Sequence, residues 1–330
     1  MLIHFTTIVR AVPHEQSGEI VALDWSSKRV IARRPLYADD PDVVDGNPRG
    51  GARGGRGILP RGGRLWVASY HTLHQFDQDL REMGRLSHPL FVGLHELCDD
   101  PRDDSIWVCS TAIDAALRLD ASGRVVESWW PRETPRLQRD FGLSPLVIDR
   151  HADNRTRWLD QSHAKSPSHC HLNAVRVHHG EVFALLNRLG VVYNVTRDEV
   201  LVHDPLLHGA HNLSFRGDRC VINDSRGRRV RMYGPDGACE RSIDLAKFAP
   251  VAALLEQVGP VRPAALPLFV RGQHLLPDGR LFVGLSPASI ALLDLDRGEL
   301  LDLFTLSRDV HHTIHGLHVS ATGASGASFR

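Results

Sequence analysis

Six short segments of the chain repeat one pattern, and this repetition constrains the fold more than any other feature. Each segment begins with a charged or polar residue and continues as an apolar strand that ends in small or polar residues. The segments are EIVALD (19–24), RLWVAS (64–69), SIWVCS (105–110), EVFALL (181–186), RCVIND (219–224) and RLFVGL (280–285). Most of them follow a turn signal such as RGG, HHG or PDG, and most precede a second alternating strand. Short strands separated by turns, with almost no helical periodicity, predict an all-β array.

The spacing of these segments predicts a propeller. Neighbouring units start 41 residues apart (64 to 105) and 38 residues apart (181 to 219), which suits a four-stranded blade. Counting the units gives six blades. The C-terminal HTIHGLHVS is predicted to be an inner strand that completes the blade begun by the N-terminal IVRAV, EIVALD and RVIARR, because this closure removes an open sheet edge. We therefore predict an all-β, six-bladed β-propeller with N-/C-terminal strand closure; a seventh, degenerate blade within 131–168 is the alternative.

One domain is predicted over residues 1–320, with two insertions. The first, at about 131–168, is polar and rich in Pro, Arg and His, and we expect it to form a lid. The second, at about 244–266, contains LAKFAPVAALLEQV, the one short helical insertion that the sequence predicts. The tail ATGASGASFR (321–330) is predicted to be disordered.

Composition argues against several classes of partner. Lys and Arg number 39 and Asp and Glu number 39, so no bulk charge favours nucleic acid or a membrane surface. The segment RGGARGGRG (49–57) is therefore interpreted as a flexible loop leading into the second blade.

Five cysteines without a CxxC pair favour a reducing compartment. The chain starts without the apolar core of a signal peptide and has no apolar run approaching 18 residues, so we expect a cytoplasmic protein.

The chain contains 20 histidines, and four of them align in the predicted innermost strands. The first strand of each blade lines the central channel, so its residues can all point at a common axis. The residues eight positions before Arg64, Glu181, Arg219 and Arg280 are Arg56, Asn173, His211 and Gly272. His95 lies ten positions before Ser105, behind a longer turn, and His171 shares a strand face with Asn173. His315 is placed by the likeness of its strand to AHNLSF and LHELC. The predicted ring comprises His95, His171, His211 and His315, with Arg56 and Gln273 from the other two blades.

Neutral imidazoles converging from separate strands are the ligands that a divalent transition metal prefers. Iron is the favoured metal, with copper, manganese and zinc as alternatives, and Asn173 and Asp224 are alternate ligands. Histidines leave the ion's charge uncompensated, which favours an anionic small-molecule substrate or redox chemistry. Arg271, Gln273 and Arg56 are predicted to act on that substrate, and either arginine could pair with its carboxylate. The other interpretation is a water-filled channel in which the histidines bind water or an anion.

Three stretches resemble a family of largely uncharacterised bacterial proteins predicted to be β-propellers. They are CHLNAVRVHHGEVFALLN, GAHNLSFRGDRCVINDSRGRRV and FVRGQHLLPDGRLFVGLS, and the resemblance covers roughly residues 55–320. More distantly, the six blades look like the gluconolactonase and strictosidine-synthase group. Gluconolactonase-type members hold calcium through a Glu, an Asn and an Asp, which the resemblance assigns to Glu96, Asn173 and Asp224. Calcium prefers oxygen ligands, so the histidines do not suit it.

Four functions remain open at this stage. The first is oxygenase or oxidoreductase chemistry at a histidine-bound ion, and the second is lyase or isomerase chemistry at the same ion. Both have an analogous site elsewhere: carotenoid-cleaving oxygenases hold iron with four histidines, and oligogalacturonate lyases hold manganese with histidines and a glutamine. The third is a calcium-dependent lactonase-type hydrolase. The fourth is a non-catalytic propeller that binds a peptide or protein partner.

Overall fold

Six four-stranded antiparallel sheets form the fold. The computed structural model describes residues 1–37, 54–158, 165–256 and 269–320. The innermost strand of each sheet contacts the innermost strands of the sheets on either side, which closes the six sheets into a ring. The predicted six-bladed β-propeller is confirmed.

The blades are numbered along the chain, and each is given from its innermost strand outward unless stated. Blade 1 consists of β1 (Leu2–Val9), β2 (Glu19–Asp24) and β3 (Arg29–Pro35), and its innermost strand is the C-terminal β24 (His312–Ser320). Blade 2 consists of β4 (Ile58–Arg61), β5 (Arg64–Ala68), β6 (Thr72–Phe76) and β7 (Glu82–Ser87). Blade 3 consists of β8 (Leu94–Asp100), β9 (Ser105–Ser110), β10 (Ala115–Leu119) and β11 (Val125–Trp129).

The remaining three blades follow the same order. Blade 4 consists of β12 (Leu172–His178), β13 (Glu181–Leu186), β14 (Val191–Asn194) and β15 (Glu199–His203). Blade 5 consists of β16 (His211–Arg216), β17 (Arg219–Asp224), β18 (Arg229–Tyr233) and β19 (Cys239–Asp244). Blade 6 consists of β20 (Gln273–Leu275), β21 (Arg280–Leu285), β22 (Ser289–Asp294) and β23 (Glu299–Thr305).

The predicted closure between the termini is confirmed, with one correction inside blade 1. β24 pairs with β1 in antiparallel register, with Ile3 opposite Val319. EIVALD is therefore β2, the third strand of its blade, whereas the five other repeated segments are second strands. The second strand of blade 1 is β1, LIHFTTIV, which is buried except at its two ends. It has no preceding turn signal and no polar first residue, and it begins before the IVRAV (8–12) that was predicted for this blade.

Among the described residues, two α-helices lie outside the blades, where the sequence predicted a single helical insertion. The helix α2 (Ala249–Glu256) confirms the predicted one. The helix α1 (Pro135–Phe141) lies in the first insertion and was not predicted, because seven residues with only Leu137 buried carry too little apolar periodicity. Neither helix is long and apolar enough to cross a membrane, and no other helix among the described residues is. Residues 38–53, 159–164, 257–268 and 321–330, which include parts of both insertions, most of RGGARGGRG and the tail, lie outside the described residues.

The hydrophobic core lies between the blades. Each strand alternates its side chains between the two faces of its sheet, and each face packs on the neighbouring blade. Ile3 and Phe5 of blade 1 pack with Phe282 and Ile290 of blade 6, for example. Since these contacts hold every blade against two others, the starts of the six innermost strands are fixed around one axis.

Candidate functional site

Three of the four predicted histidines converge at one end of the channel. His315, His95 and His211 come from blades 1, 3 and 5, and one ring nitrogen from each lies within 4.8 Å of the other two. The ring centroids of His95 and His315 are 5.4 Å apart, and those of His211 and His315 are 6.0 Å apart. All three side chains are buried. Alternate blades of a six-bladed ring thus supply three potential ligand atoms around the axis, and we call these residues the histidine triad.

The intervening blades supply Arg56, His171 and Arg271. The His171 ring packs edge-on against His95, with centroids 5.6 Å apart, but it contributes no atom to the group of three nitrogens. It is also partly exposed, unlike the triad. The guanidinium of Arg271 lies 4.2 Å over the Phe269 ring, which contacts His211. The four histidines predicted as ligands therefore separate into a triad and a fourth imidazole at its edge.

Backbone carbonyls orient two members of the triad. Nδ1 of His95 donates to the Gly93 carbonyl at 2.9 Å, and Nδ1 of His211 donates to the Gly209 carbonyl at 3.0 Å. The Ser225 hydroxyl also accepts from His211 Nδ1 at 2.9 Å. With Nδ1 protonated, each Nε2 keeps its lone pair. The spacing Gly-X-His in two blades is the sequence signal for this arrangement.

Among the described residues, the triad has ring nitrogens that make no hydrogen bond. They are Nε2 of His211 and both nitrogens of His315. A buried nitrogen without a partner costs free energy unless a ligand satisfies it. These atoms are therefore where a bound ion or molecule would be expected.

Burial keeps the site's imidazoles neutral. It lowers the pKa of His95, His171, His211 and His315 well below the ordinary value of 6.5, and nearby positive charge from Arg56 and Arg271 contributes to the lowering. Arg56 is itself buried, which lowers its pKa to about 10, so the guanidinium remains charged at neutral pH. Neutral imidazoles beside guanidinium groups suit a metal ion together with an anion.

Neighbouring inner strands approach closely where the triad sits. A Cβ atom on Gly316, the residue after His315, would lie 2.0 Å from the Arg56 carbonyl oxygen. Thr6 bridges the same two strands: its hydroxyl accepts from the Gly316 amide at 2.7 Å and donates to the Arg56 carbonyl at 2.6 Å. Blades 1 and 2 are therefore fixed relative to each other at this level of the channel.

Three polar side chains from blades 3, 4 and 5 are linked by hydrogen bonds across the channel next to the triad. Glu96 follows His95 and Asn212 follows His211; the Asn212 amide donates to Glu96 Oε1 at 2.8 Å. Arg176 of blade 4 donates to Glu96 Oε2 at 3.2 Å and to the Leu97 and Leu213 carbonyls at 2.7 Å. Burial raises the pKa of Glu96, and Arg176 and Asn212 oppose that shift. We call Glu96, Arg176 and Asn212 the channel plug; sequence reasoning did not identify Arg176 or Asn212.

A buried carboxylate holds the backbone that carries His171. Asp114 accepts from the backbone amides of Cys170 at 2.9 Å and Leu172 at 3.3 Å, which flank His171. His171 has a left-handed backbone with φ of 54°, and this anion-centred turn stabilises it. Burial raises the pKa of Asp114 to about 7. Cys170 is buried, as predicted; sequence reasoning missed Asp114, which comes from a different blade.

The other predicted site residues lie apart from the triad or form structural hydrogen bonds. Gln273 donates from Nε2 to the Val221 carbonyl at 3.0 Å and lines a pocket at the other end of the channel. Asp224 pairs with Arg231 at 2.8 Å and accepts from a backbone amide of its own turn. Asn173 donates to a backbone carbonyl at 2.8 Å. Both carboxylate oxygens of Asp224 and of Glu96 thus have structural partners, which weakens the calcium interpretation, whereas Asn173 Oδ1 has no hydrogen-bond partner among the described residues.

The pocket at the other end, called the far pocket, has a volume of about 420 Å³. Arg176 and Gln273 form part of its wall, together with three further histidines, His178, His274 and His318. The rings of His274 and His318 meet edge-on at 5.1 Å. Burial lowers their pKa values to about 4 and about 3. The channel thus carries histidines at both ends, separated by the plug.

The chain matches no protein-family model and no curated protein sequence. Solved structures do match its fold. A protein of unknown function from Bacteroides caccae aligns with a TM-score of 0.55 and 10% identity over 92% of this chain and 93% of that one. A streptogramin B lyase aligns with a TM-score of 0.51 and 9% identity, covering 93% and 87%. A structure from a nidogen/laminin complex aligns with a TM-score of 0.56 and 9% identity, covering 96% and 97%. At such identities the likeness establishes the propeller fold alone.

Proposed function

We propose that the protein is a metal-dependent enzyme in which His95, His211 and His315 bind one divalent transition-metal ion. The observation that carries this proposal is the convergence of three buried, neutral ring nitrogens within 4.8 Å. The partnerless nitrogens of His211 and His315 support it, because metal coordination would satisfy them. Three protein nitrogens would leave further coordination positions open for substrate. Iron remains the favoured metal, with manganese, copper and zinc as alternatives.

The reaction best supported by the fourth imidazole is a lyase reaction on a small carboxylate. His171 lies beside the triad, is partly exposed and is neutral, so it can accept a proton. A bound metal would polarise the substrate carboxylate and acidify the neighbouring C–H bond. His171 would take that proton, the C–H electron pair would form a C=C bond, and the leaving group would depart with its bonding electrons. Arg271 and Arg56 would bind the carboxylate, as the sequence predicts.

The streptogramin B lyase aligns with this propeller over 93% of the chain, which is compatible with a lyase reaction. A second candidate is oxygenase chemistry, the first choice from sequence. It is favoured by the neutral ligand set, since three imidazoles leave adjacent positions for dioxygen and substrate on iron.

The test uses untagged protein loaded with manganese, zinc or, anaerobically, iron. Proton NMR in D2O would follow hydrogen exchange next to the carboxylate, and alkene formation, in a panel of small hydroxy-carboxylates. We expect exchange in the wild type and loss of exchange, with metal retained, in His171→Gln. His178→Gln is the matched control, because His178 ends the strand that follows His171 and lines the far pocket.

Dioxygen consumption by the iron form without proton exchange would instead support the oxygenase candidate. Absence of both reactions, in protein that has bound metal, would overturn the proposal of an enzyme.

A further inference from the structure

Two arginines lie in equivalent turns of neighbouring blades. Arg188 is in the turn between β13 and β14 of blade 4, and Arg226 is in the turn between β17 and β18 of blade 5. Both turns lie at the triad end of the channel; in blade 5, for example, His211 at the start of β16 pairs with Asn223 near the end of β17. Arg188 is half-buried and Arg226 is exposed, and neither forms an ion pair within the described part of the chain. Two positive charges without a carboxylate partner therefore lie at this end.

Backbone hydrogen bonds connect the turn of blade 4 to the candidate site. The amide of Asn187, the residue before Arg188, donates to the His171 carbonyl at 3.3 Å. The Asn187 carbonyl accepts from the Gly209 amide at 3.2 Å. Gly209 is also the residue whose carbonyl orients His211 of the triad. Arg188 is thus held beside the proposed base and beside the segment that leads to a proposed metal ligand.

Both arginine side chains approach the connection between blades 4 and 5. A Cβ atom on Gly209, which has φ of 93°, would lie 2.8 Å from Cδ of Arg226. The Arg188 guanidinium donates to the Ser166 carbonyl at 3.1 Å, and its other N–H groups remain for a ligand. Burial and the charges of Arg226 and Arg188 lower the pKa of His208, which precedes Gly209. We call Arg188 and Arg226 the rim pair.

The rim pair is separate from the arginines assigned to the substrate carboxylate. Arg56 belongs to blade 2 and Arg271 to blade 6, on either side of blade 1, whereas blade 4 with Arg188 lies opposite blade 1 in the ring. A substrate that extends from Arg56 and Arg271 past His171 would bring its other end to the rim pair. Guanidinium groups bind carboxylate and phosphate oxygens through paired hydrogen bonds.

We propose that the rim pair is a second anion subsite, so that the substrate is a dianion with one carboxylate at the metal and a second oxyanion, carboxylate or phosphate, at its other end. The proposal rests on the proposed function, which supplies the first carboxylate. Arg188 and Arg226 then determine specificity, because a substrate without the second oxyanion leaves their charges uncompensated.

The experiment measures dissociation constants by ligand-observed NMR on the metal-free, untagged protein, because dicarboxylates chelate metal ions. The ligands are the linear dicarboxylates from succinate to adipate, 3-phosphonopropionate, and the monocarboxylates of matching chain length. We expect at least one dianion to bind about tenfold more tightly than its monocarboxylate, as charge-assisted hydrogen bonds require. Tighter binding of 3-phosphonopropionate than of succinate would identify the second group as phosphate, and the reverse order would identify it as carboxylate.

Substitution of the rim pair should remove this preference selectively. Arg188→Gln and Arg226→Gln should each lose most of the tenfold difference and still bind monocarboxylates as the wild type does. Arg197→Gln is the matched control, because it removes the same charge from blade 4 at the turn between β14 and β15, where Arg197 donates to Glu181 at 2.6 Å. This control should keep the wild-type preference.

Absence of dianion binding, equal affinities for dianions and monocarboxylates, or a preference that survives in the double variant Arg188→Gln and Arg226→Gln would overturn the second subsite. These measurements involve neither metal nor turnover. Failure of metal binding or of proton exchange would therefore overturn the proposed function without changing the outcome of this test.

Discussion

The two ends of the channel carry histidines of similar character in different arrangements. At the triad, three nitrogens from alternate blades lie within 4.8 Å of one another. At the far pocket, His274 and His318 meet edge-on, and His318 Nε2 bonds to the Ser320 hydroxyl at 3.0 Å. Burial lowers the pKa of the histidines at both ends. Neutral imidazoles are therefore common to both ends, whereas full burial and the convergence of unused lone pairs distinguish the candidate metal site.

The largest expected difference between the two ends is in metal affinity. His211→Ala removes one of three ligands and should weaken Zn²⁺ binding by more than the roughly 10- to 100-fold that loss of a ligand's outer partner costs. His274→Ala, at the far pocket, should leave Zn²⁺ affinity unchanged. Competition with a chromophoric chelator measures both. Equal losses in the two variants would place the metal elsewhere than the triad.

The channel plug provides a second, smaller test. Asn212→Leu removes the hydrogen bond to Glu96 and frees the residues that follow His95 and His211, so Zn²⁺ affinity should fall by roughly tenfold. Asp224→Asn breaks another buried carboxylate–arginine pair, that with Arg231, away from the triad. Both variants should lose stability to urea, but only the first should lose metal affinity. If both keep full affinity, the plug does not position the triad.

The far-pocket histidines should appear in the pH dependence of stability. Their folded pKa values, about 4 for His274 and about 3 for His318, lie below the ordinary 6.5. The unfolded chain thus binds more protons below pH 6.5, and the unfolding free energy falls as the pH falls from 6.5 towards 4. Asp114 acts oppositely: its pKa of about 7 makes its contribution fall as the pH rises towards 7.

Urea unfolding of the metal-free protein between pH 4 and 7 measures this slope. The double variant His274→Gln and His318→Gln should show a shallower fall than the wild type. An unchanged slope would mean that these two histidines do not titrate differently in the folded and unfolded states.

The smallest effect is expected at an exposed cluster. His178, His179 and Asp218 also bring three potential ligand atoms within 4.8 Å, but His179 and Asp218 are exposed. Adjacent exposed side chains lose rotamer entropy when they coordinate an ion. His179→Ala should therefore leave tight Zn²⁺ binding and its stoichiometry unchanged, as measured by equilibrium dialysis. Loss of one equivalent would show that this cluster, rather than the triad, holds the ion.

The fold was predictable because the blades repeat one pattern of strand and turn in the sequence. Five of the six repeated segments occupy the second strand of a blade, and HTIHGLHVS closes the ring as expected. The second strand of blade 1 was placed too late, at IVRAV, because β1 lacks the turn that marks the other second strands. The helix α1 was missed because its seven residues bury a single side chain.

The site was predictable only in part. Alignment of inner strands identified His95, His211 and His315, since strand register determines which residues face the axis. It could not separate His171 from them, because a left-handed backbone before β12 moves that ring to the edge of the triad. The partners Arg176, Asn212 and Asp114 come from different blades, and strand register alone does not reveal contacts between blades.

The central claim is that histidines of three alternate blades form one metal site. X-ray absorption spectroscopy of the untagged protein with one equivalent of Zn²⁺ tests it most directly. We expect a Zn²⁺ coordination shell with three imidazole nitrogens at about 2.0–2.1 Å, reduced to two in His315→Ala. A shell of oxygen atoms, or one that His315→Ala leaves unchanged, would contradict it.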